Sequence, residues 1–115
     1  MNYKVLVTDE AIDDIFSLIK YIHMDLENPD AAQKLYNNLN REVSNTGLFP
    51  LKFSDSGIKY RGYIIHKKFF ESYLLFYIID NEKHMVYILR ILKDRMNWQR
   101  MLQNNKMYHF TNHNR

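Results

Sequence analysis

Cysteine is missing from this chain, which removes disulfides, thiolate metal ligands and sulfur nucleophiles from consideration and fits a reducing compartment. Only 3 glycines and 2 prolines occur, too few for a long flexible linker. No apolar run approaches the roughly 20 residues of a membrane-spanning helix. The opening MNYKVLVTDE meets acids at once and lacks the basic start and apolar stretch of a signal peptide. The histidines have no ligand-like spacing, and His109 and His113 fall in a polar C-terminal stretch, so neither a metal site nor a cofactor is expected. These absences point to a cytoplasmic protein that works with its own side chains.

What is present is an aromatic-rich core composition and an uneven charge. Of 115 residues, 46% are hydrophobic, 25% charged and 15% aromatic, enough for one domain with one core. Residues 1–57 carry 5 Lys/Arg against 9 Asp/Glu, whereas residues 58–115 carry 11 against 4. The second half is therefore strongly basic, and clustered cations suit a polyanionic or acidic partner.

Along the chain, Tyr3 to Thr8 alternates and is β-branched, which predicts a first strand. Thr8 can cap the helix that follows, with Asp9 and Glu10 in its first turn. Ile12, Ile15, Phe16, Ile19 and Ile22 recur at helical spacing and form its apolar face, with Asp13, Asp14, Ser17 and Lys20 mostly off it. Asn28-Pro29 starts a second helix whose apolar face is Ala32, Leu35, Tyr36, Leu39 and Val43, and Gly47 stops it. Two such helices predict an antiparallel hairpin. Leu48 to Gly57 is predicted as a loop anchored by Phe49 and Phe53. Strands follow within Gly62 to Phe70, at Tyr73 to Ile79 and at Met85 to Leu92, and short turns make them antiparallel neighbours. Tyr73 to Ile79 is apolar on both faces, as a central strand is. Arg90 interrupts the apolar last strand. Either its stem packs and its head reaches water or a carboxylate, or it lines a site. Met96 to Gln103 predicts a short helix, and residues 104–115 a polar, frayed tail. The fold class is α+β: an N-terminal strand, a helical hairpin packed on a mostly antiparallel four-stranded sheet, and a short C-terminal helix, as one domain over residues 1–103.

That order, with these residues, resembles the RelE/ParE superfamily of toxins from type II toxin–antitoxin pairs. VLVTDEAIDDIFSLIKYI resembles the family's opening strand and helix, ENPDAAQKLYNNL its second helix, and GLFP the element that closes that helix. YLLFYIID resembles its central strand and YILRILKDRMNW its last strand and exit. The resemblance spans residues 3–103. It implies a small growth-inhibiting toxin, of a kind associated with plasmid stabilization, neutralised by a cognate antitoxin. Its target would be either DNA gyrase or the ribosome and its mRNA; the alternative to a toxin is a non-toxic binding module or a decayed toxin.

RNA-cutting members of that family carry an arginine directly after the tyrosine that opens the central strand. Leu74 occupies that place here. Cleavage through a ribose 2′-hydroxyl builds charge on phosphate, which a fixed guanidinium stabilises and a leucine cannot. Lys93 stands where many relatives have histidine, and lysine is a poor acid–base group near its ordinary pKa of about 10.4. If the chain cuts RNA, the catalytic set would be His66, Lys68, Arg90 and Arg95. LLFY and RMNW fit the gyrase-directed, ParE-like branch better, and there the target would be engaged by Lys67, Lys93, Arg95 and Trp98 without catalysis. For single residues, the readings without a direct role are a solvated strand histidine for His66, a wet helix face for Asp13 and Asp14, core packing for Tyr77 and Tyr87, and a structural tie to a helix aspartate for Arg95.

Overall fold

Thr8 ends the first strand and begins the first helix in one step. In the computed structural model, which describes residues 2–111, its backbone N–H donates to the Ile88 carbonyl. Its hydroxyl accepts from the Ala11 N–H and donates to the Leu89 carbonyl, 2.9 and 2.8 Å. A fully buried threonine thus caps the helix and closes the strand edge together.

The strand β1 spans Lys4–Val7 and the helix α1 Asp9–Lys20. One wide π-turn, Tyr21–Asp25, extends α1. Asn28 caps α2, Pro29–Asn45, by accepting from the Ala31 N–H, with Pro29 in the first turn. After a single 3₁₀ turn, Pro50–Lys52, come β2 (Ser54–Tyr60), β3 (Tyr63–Phe70), β4 (Tyr73–Asp80) and β5 (Met85–Lys93). The helix α3, Trp98–Asn104, is capped by Asn97, whose side chain accepts from the Arg100 N–H.

The sheet order is β1-β5-β4-β3-β2. The pair β1·β5 is parallel and the others are antiparallel. The fold class is the one expected, with five strands rather than four. The extra strand is β2, where a loop was expected. It is an edge strand in which Ile58 and Tyr60 alone pack on the core, so its sequence SDSGIKY carries little periodic signal. The β2–β3 turn puts Arg61 and Gly62 at positive φ, a geometry that suits glycine. Gly47 has a different role. Its carbonyl accepts from the Tyr3 N–H, and a Cβ there would lie 2.4 Å from the Tyr3 carbonyl oxygen.

The helical hairpin covers one face of the sheet, burying Ala11, Ile15, Leu35, Leu39 and Val43 against Tyr73, Leu75, Tyr77, Val86, Ile88 and Ile91. On the outer face, α3 and the C-terminal segment cover Ile65, Leu74, Phe76, Ile78, Leu89 and Leu92 with Leu102 and Tyr108. Phe16 does not join the core as expected and is 60% exposed; Phe49 is likewise no anchor, at 69%.

The C-terminal stretch is not frayed over residues 105–111. Tyr108 is buried, its N–H donates to the Tyr60 hydroxyl, and its ring meets that of Tyr60 edge-on. Phe110 packs edge-on against Tyr87. His109 donates to Glu10 through its backbone N–H and its ring Nδ1, at 3.0 and 2.6 Å, and accepts from the Asp9 N–H. Thr111 binds the Asp9 carboxylate through its N–H and hydroxyl. The segment is a strap that runs from β2 across the outer face to the start of α1. The end of the predicted tail, residues 112–115 with His113, lies outside the described residues.

Candidate functional site

Strand alternation alone separates the basic residues of β3. His66 and Lys68 pair with Tyr77 and Leu75, on the helix-facing side. Lys67 pairs with Phe76, on the outer side.

Lys68 is buried. Its Nζ lies 3.0 Å from Glu42 Oε2, donates to the Glu42 carbonyl and sits 5.1 Å from the centre of the Phe53 ring. The His66 ring stacks on Tyr77, and its Nδ1–H donates to the Phe53 carbonyl at 3.0 Å. Tyr77, whose hydroxyl donates to the Pro50 carbonyl at 2.5 Å, has its pKa raised by burial. Together these three side chains fasten the 46–53 connection to the sheet. His66 is therefore a positioned residue rather than a solvated one.

Arg90 owes its direction to a β-bulge. The β4–β5 ladder shifts between Phe76, opposite Arg90, and Tyr77, opposite Ile88. Ile88 and Ile91 both reach the helix-facing core, and Leu89 and Leu92 both reach the outer one. Leu89 has no partner on β4, so Leu89 and Arg90 share the place opposite Phe76, and the bulge re-aims Arg90. It meets Asp14 of α1 in a two-point ion pair, with Nε and Nη2 each 2.8 Å from a carboxylate oxygen. Asp14 also accepts from the Ile91 N–H at 2.9 Å. The strand β1 stops at Val7, opposite Ile88. Beyond it the Thr8 hydroxyl and the Asp14 carboxylate take over the edge groups of β5 at Leu89 and Ile91. Burial pushes the Asp14 carboxyl above its usual range, against the pull of Arg90 and the Ile91 amide. Hydrogen bonding to Asp14 holds the Arg90 guanidinium up. Asp14 is thus no wet surface residue, and Arg90, not Arg95, is the arginine tied to a helix aspartate.

The remaining candidates stand apart. Lys93 is exposed on the helix-facing side, 5.7 Å from the centre of the Tyr73 ring. Arg95 is exposed in the turn before α3 and forms no ion pair with a described residue. Trp98 packs on Phe76 at 5.2 Å and carries the Lys67 Nζ 4.9 Å from its ring centre. Leu74 lies at the outer face, 1% exposed, opposite Phe69 and Leu92. His66 and Lys68 share the helix-facing side of β3, Arg90 is held by Asp14, and Arg95 lies in the turn before α3. Lys93, Arg95 and Trp98 lie at and beyond the end of β5, and Lys67, in the middle of β3, reaches Trp98 from the outer face. The signal sequence reading lacked was the α1 aspartate: Asp14 is one turn beyond Glu10 and faces the bulge, which no spacing in β5 reveals. Among the described residues no group of side chains could hold a metal ion, and no helix is long and apolar enough to cross a membrane.

A helical hairpin on one face of a sheet, whose parallel edge strand precedes it and whose antiparallel strands follow, defines a small toxin fold. Residues 5–98 match the family described as ParE toxin of type II toxin-antitoxin system, parDE. The chain belongs to this family, within the RelE/ParE superfamily, and is a type II toxin. Among solved structures it is similar to the toxin–antitoxin complex RelBE2 from Mycobacterium tuberculosis, with a TM-score of 0.60 and 20% identity over 81% of this chain and 92% of that one. It is also similar to the chromosomal ParDE system from P. aeruginosa, with a TM-score of 0.65 and 15% identity over 79% and 95%. The free E. coli toxin RelE aligns with a TM-score of 0.57 and 17% identity over 89% and 94%. No curated protein matches the sequence.

Proposed function

We propose that this toxin inhibits DNA gyrase by binding it, without cleaving RNA, and that a cognate antitoxin holds it inactive in the cytoplasm. Leu74 carries this reading. It stands where RNA-cutting relatives place an arginine, and here that place is filled by an apolar side chain sealed under the outer-face cluster. The other cations a phosphate would need, Arg90 and Lys68, are spent on Asp14 and Glu42. What remains accessible is Lys93 and Arg95, with Lys67 half-buried beside Trp98. Such a rim suits recognition of an acidic surface more than acid–base chemistry. Two of the similar solved structures are toxin–antitoxin systems, which supports an antitoxin as the partner in the cell.

A supercoiling assay with purified toxin tests the target. Inhibition at micromolar toxin that weakens when Arg95 or Lys93 becomes glutamate is expected; unimpaired gyrase would count heavily against the reading. Primer extension on translated message after induction tests the other branch. Cuts within codons that Arg95→Ala abolishes would establish RNA cleavage instead.

A further inference from the structure

The end of the sheet opposite the cationic rim carries an apolar patch that neither the toxin fold nor the target reading uses. The 3₁₀ turn and the first residues of β3 bring Leu48, Phe49, Leu51, Tyr63 and Ile64 together, all exposed, with Phe49 and Leu51 at 69% and 65%. Two shallow depressions of about 370 and 450 Å³ run through the patch, and Leu51 lines both. The surface is therefore continuous, with Leu51 near its middle. Exposed apolar side chains grouped in this way mark a contact surface more than ordinary solvent-facing residues.

The charges around the patch indicate its occupant. Lys52 lines the depression on one side of Leu51, and Asp80 and Glu82, in the turn between β4 and β5, line the one on the other side. A nucleic acid or an anionic lipid surface would meet those two carboxylates, and a strongly acidic partner would too. A second copy of the chain would not suffer this repulsion. In a two-fold contact the same patch faces itself. An axis near Leu51 sets the Lys52 side of one protomer against the Glu82 side of the other, twice. Neither Lys52 nor Glu82 forms an ion pair with a described residue, and both are exposed.

We propose that the patch centred on Leu51 is the interface of a two-fold symmetric homodimer, closed on each side by Lys52 of one protomer and Glu82 of its partner. Leu51 and Phe49 supply the apolar centre, and the paired charges fix the register. The opposite end of the sheet, with Lys93 and Arg95, stays free in such a dimer. The inference therefore stands independently of which target the toxin engages.

Light scattering and sedimentation equilibrium on the full chain, from about 1 to 100 µM, test this across the affinities expected of a modest interface. A concentration-dependent monomer–dimer equilibrium is expected. Leu51→Asp should leave only monomer, with an unchanged circular dichroism spectrum because the side chain is already in solvent. Lys52→Glu and Glu82→Lys should each weaken the dimer about tenfold, and combining them should recover wild-type affinity to within about threefold. A chain that is monomeric throughout overturns the proposal. So does a dimer indifferent to Leu51→Asp, or one whose two charge reversals show no mutual rescue.

Discussion

Asp14 and Arg90 are 76 residues apart in the chain and meet through two 2.8 Å hydrogen bonds. The contact ties the middle of α1 to the bulge of β5, where β1 no longer covers the edge. Removing one partner leaves the other charge in a largely covered place, which is the expensive way to break an ion pair. Asp14→Asn and Arg90→Ala should each lower stability by about 3 kcal/mol in urea unfolding. A double substitution to Asn and Met should recover much of that, since neither charge is then stranded. If Arg90 served instead as an accessible catalytic group, Arg90→Met would abolish toxicity at unchanged stability.

Glu10 and His109 give the strap a pH dependence. Burial by itself would push the Glu10 carboxyl up, but the hydrogen bonds from the His109 ring and backbone N–H bring it below the ordinary value of 4.5. A carboxyl depressed by folding contributes stability that is complete above its unfolded pKa and fades as pH falls through the folded one. Docking of residues 105–111 should therefore be intact at neutral pH and weaken only below about pH 4.5. Hydrogen exchange at Tyr108 and His109 reads this directly. Glu10→Gln should raise exchange there at pH 7 and flatten the acid response.

Lys68 separates a structural cation from a chemical one. It is buried against Glu42 and Phe53, and a methionine of similar length would keep most of the packing. Lys68→Met leaves Glu42 without its cation in a partly covered place and should lower stability by about 1–3 kcal/mol, with growth arrest on induction retained. Loss of arrest at unchanged stability would instead give Lys68 a direct part in the toxic activity.

The frame of one strand, two helices and three further strands was legible because its signals are local and strong. Thr8 and Asn28-Pro29 mark helix starts through their capping chemistry, and YLLFYIID can only be a strand covered on both faces. The edge strand β2 was not legible, because a strand half in solvent has too few apolar residues to reveal its period. The strap escaped for another reason. Residues 104–115 are polar on average, yet Tyr108 and Phe110 reach Tyr60 and Tyr87, which lie far away in sequence. At the site, residue types were legible but directions were not. A one-residue bulge turned Arg90 to Asp14, and strand alternation put Lys67 and Lys68 on opposite faces.

Glu71 is strained in the tight turn between β3 and β4, at a φ of 53°. An L-residue with a long side chain costs about 1 kcal/mol there, and asparagine or glycine costs less. Glu71→Asn should raise the urea midpoint, by about 0.5 kcal/mol in stability, without touching the sheet interior. A lower midpoint would mean that the Glu71 side chain makes a contact worth more than the strain.

Leu74 offers the sharpest separation of fold from activity. Restoring the arginine found in RNA-cutting relatives would place a guanidinium at a position 1% exposed, among Phe76, Leu92 and Leu102. No described carboxylate belongs to that cluster, so the charge must either strand itself or push toward the turn at Asp94 and displace Trp98. A buried unpaired charge costs several kcal/mol. Leu74→Arg should therefore unfold in urea at least about 3 kcal/mol sooner and gain no ribosome-dependent cleavage by primer extension. Lys68 and Arg90 remain engaged by Glu42 and Asp14. Codon-specific cuts from Leu74→Arg would mean that the outer face still holds a complete catalytic pocket beneath its apolar cover, and would remove the ground for a gyrase-directed toxin.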